Sequence, residues 1–226
     1  MKNAIVKILL LLVFAGVAAP AGAQKKIYTR SYRVQDFKSR TTKVVLGSAP
    51  GLDAVLREDI TAFWTASAYE FCTPAEYEKQ KTDPGSYFLR PVTEKGIVYL
   101  VLTKGGREKD ADALKHPMNL VSVPVAGENW NGSLLYMPAF ITMIQDYAEA
   151  AMTSERVAYS GLKGICRWRR PGTRVVKDPE EAASAFRDAR EGVAVQVTIT
   201  PDGSSASKPR HRLVFSADGY QLHSYR

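Results

Sequence analysis

The residue types that most often carry catalysis or hold a metal are scarce in this sequence of 226 residues. It contains three histidines, His116, His211 and His223, and two cysteines, Cys72 and Cys166. No histidine stands at the spacing that places two imidazoles on one helix face. Neither cysteine has a histidine nearby in the sequence, as a zinc site with mixed ligands would require. We therefore predict no metal site and no cofactor.

Motifs for nucleophilic and phosphoryl chemistry are also missing from the sequence. There is no Gly-x-Ser-x-Gly turn of the kind that presents a catalytic serine. The glycine pair within residues 104–107 lacks the spacing and the following Ser or Thr of a phosphate-binding loop. The paired carboxylates of a glycosidase need not be adjacent in sequence, so a site built from distant acids stays open. The sequence favours a protein that binds without catalysis, with a secreted hydrolase as the alternative.

The most concentrated charge in the sequence lies between residues 163 and 177. This stretch contains no acid, and Trp168 stands among its cations. Like charges repel one another unless a partner or counterions neutralise them, so the stretch favours contact with anionic lipid, lipopolysaccharide or an acidic envelope protein. The alternative is a solvated loop that has no partner. The candidate binding residues are Arg167, Trp168, Arg169, Arg170 and Arg174.

Residues 1–23 have the organisation of a secretory signal peptide. Lys2 and Lys7 precede or flank an apolar run at 8–14, and small residues at 21–23 offer a cleavage site. The run is too short for a membrane anchor, and no later run is long enough to span a bilayer. We expect a soluble protein, exported to the periplasm or the cell exterior. Arg167–Arg170 with Trp168 could also stack on single-stranded nucleic acid, but export argues against that partner.

The formal net charge of +8 is consistent with an anionic partner.

The two cysteines could be paired or free. Because an exported chain can form disulfides, a bridge between Cys72 and Cys166 is possible. Cys72 follows a short strand-like pattern and can equally be a plain buried thiol, whereas Cys166 lies inside the basic stretch.

The elements that must position these residues are organised around a strand and helix in the middle of the chain. An apolar run at 119–125 predicts a strand buried on both faces, with Pro124 near its end. Apolar residues then recur at helical spacing through 138–153, which predicts a helix whose buried face includes Phe140, Ile144 and Tyr147. The polar residues Thr142 and Gln145 fall on the opposite side. We expect this helix to pack on strands 96–103 and 119–125, with 96–103 in the centre of the sheet.

The order of predicted elements indicates an α/β fold. Helices and strands alternate in the first half, and two strands near 86–91 and 96–103 lie too close together for a parallel crossover. This combination predicts a mixed sheet with helices packed on it, plus a C-terminal β-hairpin extension. The hairpin is expected from 212–215 and 220–225. We predict a single domain over residues 24–226, with a core at about 41–162 and an extension at about 163–226.

Parts of residues 44–162 resemble a family of exported Bacteroidetes proteins of unknown function. The resemblance lies in the sequences Ala-Tyr-Glu-Phe-Cys at 68–72, Glu-Tyr-Glu-Lys at 76–79, Asn-Leu-Val-Ser-Val-Pro-Val at 119–125 and Tyr-Met-Pro-Ala-Phe at 136–140. The early strand–helix order is also similar to the amino-terminal domain of TolB and to CsgG-type envelope domains. These likenesses imply an envelope context and no particular activity. We therefore expect an exported, non-enzymatic envelope binding or assembly protein.

Overall fold

The computed structural model describes residues 30–47, 49–106, 117–127, 133–201 and 210–226. The predicted signal peptide, its cleavage site and His116 lie outside these residues. Within them, no helix is both long enough and apolar enough to cross a membrane.

The first part of the chain alternates helices and strands and then continues into two antiparallel strands. A short 3-10 turn, Phe37–Ser39, precedes the first strand. The elements are α1 (Arg30–Val34), β1 (Thr41–Val45), α2 (Pro50–Phe63), β2 (Ala68–Cys72), α3 (Pro74–Gln80), β3 (Tyr87–Glu94), β4 (Ile97–Lys104) and β5 (Met118–Gly127).

The second part begins with three consecutive helices and ends in a small sheet. A 3-10 turn, Ser133–Tyr136, leads into the longest helix. The elements are α4 (Met137–Thr153), α5 (Glu155–Ser160), α6 (Leu162–Ile165), β6 (Arg174–Val176), α7 (Pro179–Arg187), β7 (Val193–Ile199), β8 (His211–Ser216) and β9 (Leu222–Tyr225).

The strands form two mixed sheets, where the sequence suggested one. The first has the order β2-β1-β3-β4-β5, in which β1 pairs in parallel with β2 and β3, and β4 and β5 are antiparallel. Helices α2 and α3 provide the crossovers that parallel pairing requires. The second has the order β6-β7-β8-β9. The α/β class and the C-terminal hairpin of β8 and β9 are confirmed, and β4 is an interior strand, as predicted.

The strand β5 lies at the edge of its sheet, and its apolar residues are buried on both faces, as the sequence predicted. Pro124 faces Tyr99 beside a register shift between Val98 and Tyr99, and the strand continues beyond it to Gly127. Proline has no N–H to give to a ladder, so it is tolerated at an edge or a bulge. The edge position removes the conflict that Pro124 creates for a central strand.

The helix α4 is the centre of the core, as its spacing predicted. Phe140 and Ile144 are fully buried, and Tyr147 is 1% exposed. Its contacts include β5 and also α2, which lies alongside. Burying each large apolar side chain contributes about 1.5–3 kcal/mol before entropy is subtracted, so this helix accounts for much of the stability of the fold.

Gln145 is an exception to the predicted polar face of α4, because it is buried. Its Oε1 accepts hydrogen bonds from the backbone N–H groups of Thr65 (2.6 Å) and Ala66 (2.9 Å). Its Nε2 donates to the backbone oxygen of Phe63 at 3.0 Å. The end of a helix leaves backbone groups without hydrogen-bond partners. The side-chain amide of Gln145 provides such partners where α2 ends. Gln145 therefore fixes α2 against α4.

The two sheets share one hydrophobic cluster. Tyr136 and Phe186 pack against Phe215 of β8 with ring centroids 6.1 and 5.8 Å away. Tyr220 adds a contact to Phe63 at the end of α2. Buried residues of both sheets and of α4 belong to the same cluster. The C-terminal sheet therefore packs against the rest of the fold and shares its hydrophobic core.

Candidate binding surface

The predicted basic stretch forms the connection from α6 to β6, and both of its ends are held by backbone hydrogen bonds. The N–H of Arg167 donates to the oxygen of Leu222 at 2.8 Å, and the N–H of Arg174 donates to the oxygen of Gly192 at 2.9 Å. Leu222 begins β9 and Arg174 begins β6, which are the two edges of the second sheet. The connection therefore crosses one end of that sheet.

A tight turn shapes the middle of this connection. Gly172 has φ = 81°, a conformation that glycine adopts without steric cost. Thr173 donates to the backbone oxygen of Arg170 from its N–H at 3.3 Å and from its hydroxyl at 2.7 Å. Because the turn and both ends are fixed, the side chains before the turn project from a defined backbone.

We call residues 167–170 the basic loop, and its four side chains are all exposed. Trp168 is 91% exposed, which is more than any other large hydrophobic residue that the structure describes. Arg167, Arg169 and Arg170 are its neighbours in the sequence, and none of the three makes an ion pair with a described residue. The loop therefore presents an apolar ring and three positive charges to the solvent.

Arg174, the fifth candidate residue, does not belong to this surface. Its guanidinium pairs with the carboxylate of Glu181 at 2.5 Å. Glu181 lies in the first turn of α7, close to β6 in space but outside the acid-free stretch of sequence. The sequence pattern missed this pairing because the crossover β6-α7-β7 brings an acid back to the stretch.

A small polar cavity lies beneath the basic loop at the same end of the sheet. Its volume is about 120 Å³, and its lining includes Trp168, Arg170, Thr173, Gln221 and His223. Small-molecule sites usually enclose roughly 300–1,000 Å³. The cavity is therefore too small to enclose a drug-sized ligand, and the exposed loop itself is the better contact surface.

The two cysteines are both free, so the possible Cys72–Cys166 disulfide is not formed. Cys72 packs beside Val45, Tyr77 and Phe88 on the face of the first sheet that α3 covers. The thiol of Cys166 donates to the oxygen of Leu162 at 3.4 Å and packs against the main core. Burial raises the pKa of both thiols, with Glu76 adding to the rise at Cys72. Raised pKa values make these thiols poor nucleophiles.

His211 has a structural role that the sequence did not reveal. Its Nε2 lies 2.8 Å from the hydroxyl of Tyr99, and its Nδ1 lies 3.1 Å from the hydroxyl of Tyr225. Tyr99 belongs to β4 and His211 to β8, so this group joins the two sheets. Burial lowers the pKa of His211. No spacing in the sequence places these three residues together, because the contact depends on how the sheets pack.

No metal-binding cluster of three or more His, Cys, Asp or Glu side chains occurs in the part of the chain that the structure describes. The chain matches no protein-family model, no curated protein and no solved structure. The resemblance to exported envelope proteins therefore stays a prediction.

Proposed function

We propose that this chain is an exported, non-enzymatic binding protein of the cell envelope whose basic loop contacts an anionic envelope surface. The observation that carries the proposal is the almost fully exposed Trp168 between the unpaired Arg167, Arg169 and Arg170. The signal-like residues 1–23 support the envelope setting. An assembly partner with an acidic surface is the alternative occupant of the same loop.

The chemistry of the loop suits the boundary between an anionic membrane and water. Tryptophan favours this boundary because its ring is apolar and its N–H is polar. Each arginine near an anionic lipid surface contributes about 1 kcal/mol, so the three together favour association by roughly 100-fold. That is enough for reversible contact and too little for a permanent anchor.

The fixed backbone of the loop also favours binding. A loop that is ordered only on contact loses conformational entropy at that moment, which weakens association. Here the hydrogen bonds of Arg167 and Arg174 to the strands order the loop beforehand. Only the side chains then lose conformational freedom when the loop contacts its partner.

Sedimentation with vesicles tests the proposal. The mature chain should sediment with vesicles containing phosphatidylglycerol at low salt, and much less with phosphatidylcholine alone. High salt should release it, because screening shortens the reach of surface charge to roughly 3–8 Å. Changing Arg167, Arg169 and Arg170 to serine should abolish the sedimentation.

The control variant removes the same charge from other exposed positions, with Lys79, Lys95 and Arg187 changed to serine. Equal loss in both triple variants would show that net charge, and not this loop, governs binding. No sedimentation of the unchanged protein would reject the anionic surface. Capture of an acidic envelope protein by the unchanged protein, but not by the arginine triple variant, would instead support the assembly alternative.

One observation bears on the alternative of a secreted hydrolase. Ser216, Asp218 and His223 line the same small cavity beneath the basic loop. However, the Oγ of Ser216 accepts from the N–H of Gln221 at 3.1 Å, and the Nδ1 of His223 lies 3.3 Å from the oxygen of Arg167. No hydrogen bond among the described residues joins the serine to the histidine, as an activated nucleophile requires.

A fluorophosphonate probe separates the two functions. It reacts covalently with an activated serine, so we expect no labelling of the unchanged protein. Labelling that disappears in Ser216→Ala would establish the hydrolase and contradict the non-enzymatic proposal.

A further inference from the structure

We infer that a cleft beside the basic loop binds a small zwitterion of the class of free amino acids and short peptides. The cleft lies between α4 and the chain that leaves α6, and its volume is about 470 Å³. This is within the range of roughly 300–1,000 Å³ that small-molecule sites occupy. It adjoins the exposed surface of the proposed function and shares Arg167 with it. Its charged lining residues are Asp146, Glu149, Arg156 and Arg167.

The acidic wall comes from α4, where Asp146 and Glu149 stand three residues apart and so share one side of the helix. Glu149 is already neutralised, because its Oε1 lies 2.9 Å from the Nζ of Lys38. Asp146 is half-buried, and it makes no ion pair and no hydrogen bond with any residue that the structure describes. A partly buried carboxylate without a partner is unfavourable, so Asp146 is ready to accept an ammonium group.

The basic wall faces it from α5 and from the start of the basic loop. Arg156 is exposed, and its Nη2 makes only a long contact of 3.5 Å to the oxygen of Gly164. Arg167 is close enough for its charge to act on Asp146, yet the two do not form an ion pair. Opposite charges thus line one cavity without neutralising each other.

A ligand that carries both a positive and a negative charge would form ion pairs with both walls of the cleft. Its ammonium group would donate to Asp146, and its carboxylate would accept from Arg156 and Arg167, which are charge-assisted hydrogen bonds. A ligand with only one charge would leave the other wall unpaired. Ala150 and Ile165 also line the cleft, and they suit a small apolar side chain such as that of leucine.

The electrostatics of Asp146 agree with this assignment. Burial raises its pKa, Arg167 lowers it, and Glu149 raises it, with a net rise. A bound ammonium group would favour the charged carboxylate. Binding should therefore weaken as the pH falls and Asp146 takes up a proton.

Titration calorimetry on the full mature chain tests the assignment with L-leucine and glycyl-L-leucine. Two analogues are the ligand controls: leucinamide lacks the carboxylate, and 4-methylpentanoate lacks the ammonium group. We expect both zwitterions to bind, and each analogue to bind at least about tenfold more weakly, because a hydrogen bond to a charged group is lost.

Three variants complete the test. Asp146→Asn and Arg156→Gln should each weaken binding of the zwitterions about tenfold or more. Glu94→Gln is the control, because it removes an exposed carboxylate that is paired with Lys95 and does not line the cleft; the affinity of this variant for the zwitterions should stay within about twofold. The thermal midpoint of each variant shows that it is folded, and Arg156, which is exposed, serves if Asp146→Asn does not fold.

The inference is overturned if neither zwitterion binds at millimolar concentration. It is also overturned if leucinamide or 4-methylpentanoate binds as well as leucine, or if Arg156→Gln binds like the unchanged protein. The double variant Arg169→Ser, Arg170→Ser leaves the cleft intact. If it loses vesicle binding and keeps leucine binding, the two sites are independent.

Discussion

Asp59 lies half-buried on α2 beside Tyr220, and its surroundings disfavour its charge. Burial, with a smaller contribution from Glu58, raises the pKa of Asp59 to about 6. The unfolded value is about 3.9, so the unfolded chain holds the charge more readily. The contribution of Asp59 to the stability of the folded state is fully present below pH 4 and is lost as the pH rises through 6.

Asp59→Asn should remove this dependence on pH. We expect the variant to match the unchanged protein in urea unfolding at pH 4. At pH 8 it should be more stable by up to about 1 kcal/mol, since solvent screens a half-exposed group. Asp218→Asn, at an exposed position, is the control. A variant that is less stable at pH 8 would contradict this account of Asp59.

His211 should make the folded state less stable as the pH falls, which is the opposite of the effect of Asp59. Its pKa is lowered by burial between the neutral hydroxyls of Tyr99 and Tyr225. The contribution of His211 to stability is fully present above the unfolded pKa of about 6.5 and is lost as the pH falls through the lowered pKa of the folded state.

His211→Gln should therefore lose less stability than the unchanged protein between pH 8 and pH 5. Urea midpoints at the two pH values measure this, and His223→Gln is the control. Equal pH dependence in the unchanged protein and in His211→Gln would rule out a buried neutral imidazole.

At this scale the sequence predicted the exposed basic loop but not the pairing of its neighbours. Arg167, Trp168, Arg169 and Arg170 are adjacent in the chain, so one loop necessarily presents them together. Tertiary contacts decide whether a cation lies beside an acid, which is why the sequence did not reveal that Arg174 pairs with Glu181. Asp146 escaped notice for the same reason.

At the scale of elements, α4 gives the clearest contrast between two neighbouring positions. Ile144 is fully buried, whereas Thr142 is only half-buried. Ile144→Ala should cost about 2–5 kcal/mol, because it removes buried methyl groups and leaves a cavity. Thr142→Ala should cost well under 1 kcal/mol. Urea midpoints measure both, and equal midpoints would contradict the orientation of the helix.

Hydrophobic spacing predicted the existence and the buried face of α4 because that face follows the helical period. It could not predict Gln145, since the amide is buried only where the end of α2 leaves backbone groups to satisfy. Nor could it place β5 at an edge: its apolar residues are covered on both faces, and strand order depends on topology. Pro124 was the one local sign of that edge.

At the scale of the whole molecule, the shared core predicts one cooperative unfolding transition. Buried residues from both sheets belong to one large cluster, and Phe215 is fully buried within it. Phe215→Ala should therefore lower the midpoint of the only thermal transition, at a cost of about 3–5 kcal/mol. Circular dichroism in the far and near ultraviolet should report the same midpoint. Two separate transitions would contradict a single domain over residues 24–226.

The α/β class and the terminal hairpin could be predicted because they follow from local patterns and short turns. The division of the strands into two sheets could not. The alternation of apolar and polar residues in a strand indicates which of its faces are buried. It does not indicate which other strands pair with that strand. The cleft beside α4 is lined by residues of α4, α5, α6 and the start of the basic loop. The cavity beneath that loop is lined by residues of β7, β8 and β9 and of their connections. Both depend on tertiary packing, which no local pattern records.

The measurement that tests the central claim most directly is the fluorescence of Trp168 during vesicle binding. The difference between the spectra of the unchanged protein and of Trp168→Phe isolates this indole. Because Trp168 is 91% exposed, its emission begins at the long wavelengths of an indole in water. The account predicts a shift to shorter wavelength with phosphatidylglycerol vesicles, reversal at high salt, and no shift with phosphatidylcholine. An unchanged difference spectrum, with or without protein bound to the vesicles, would contradict the account, because the basic loop would then not be the surface that meets the membrane.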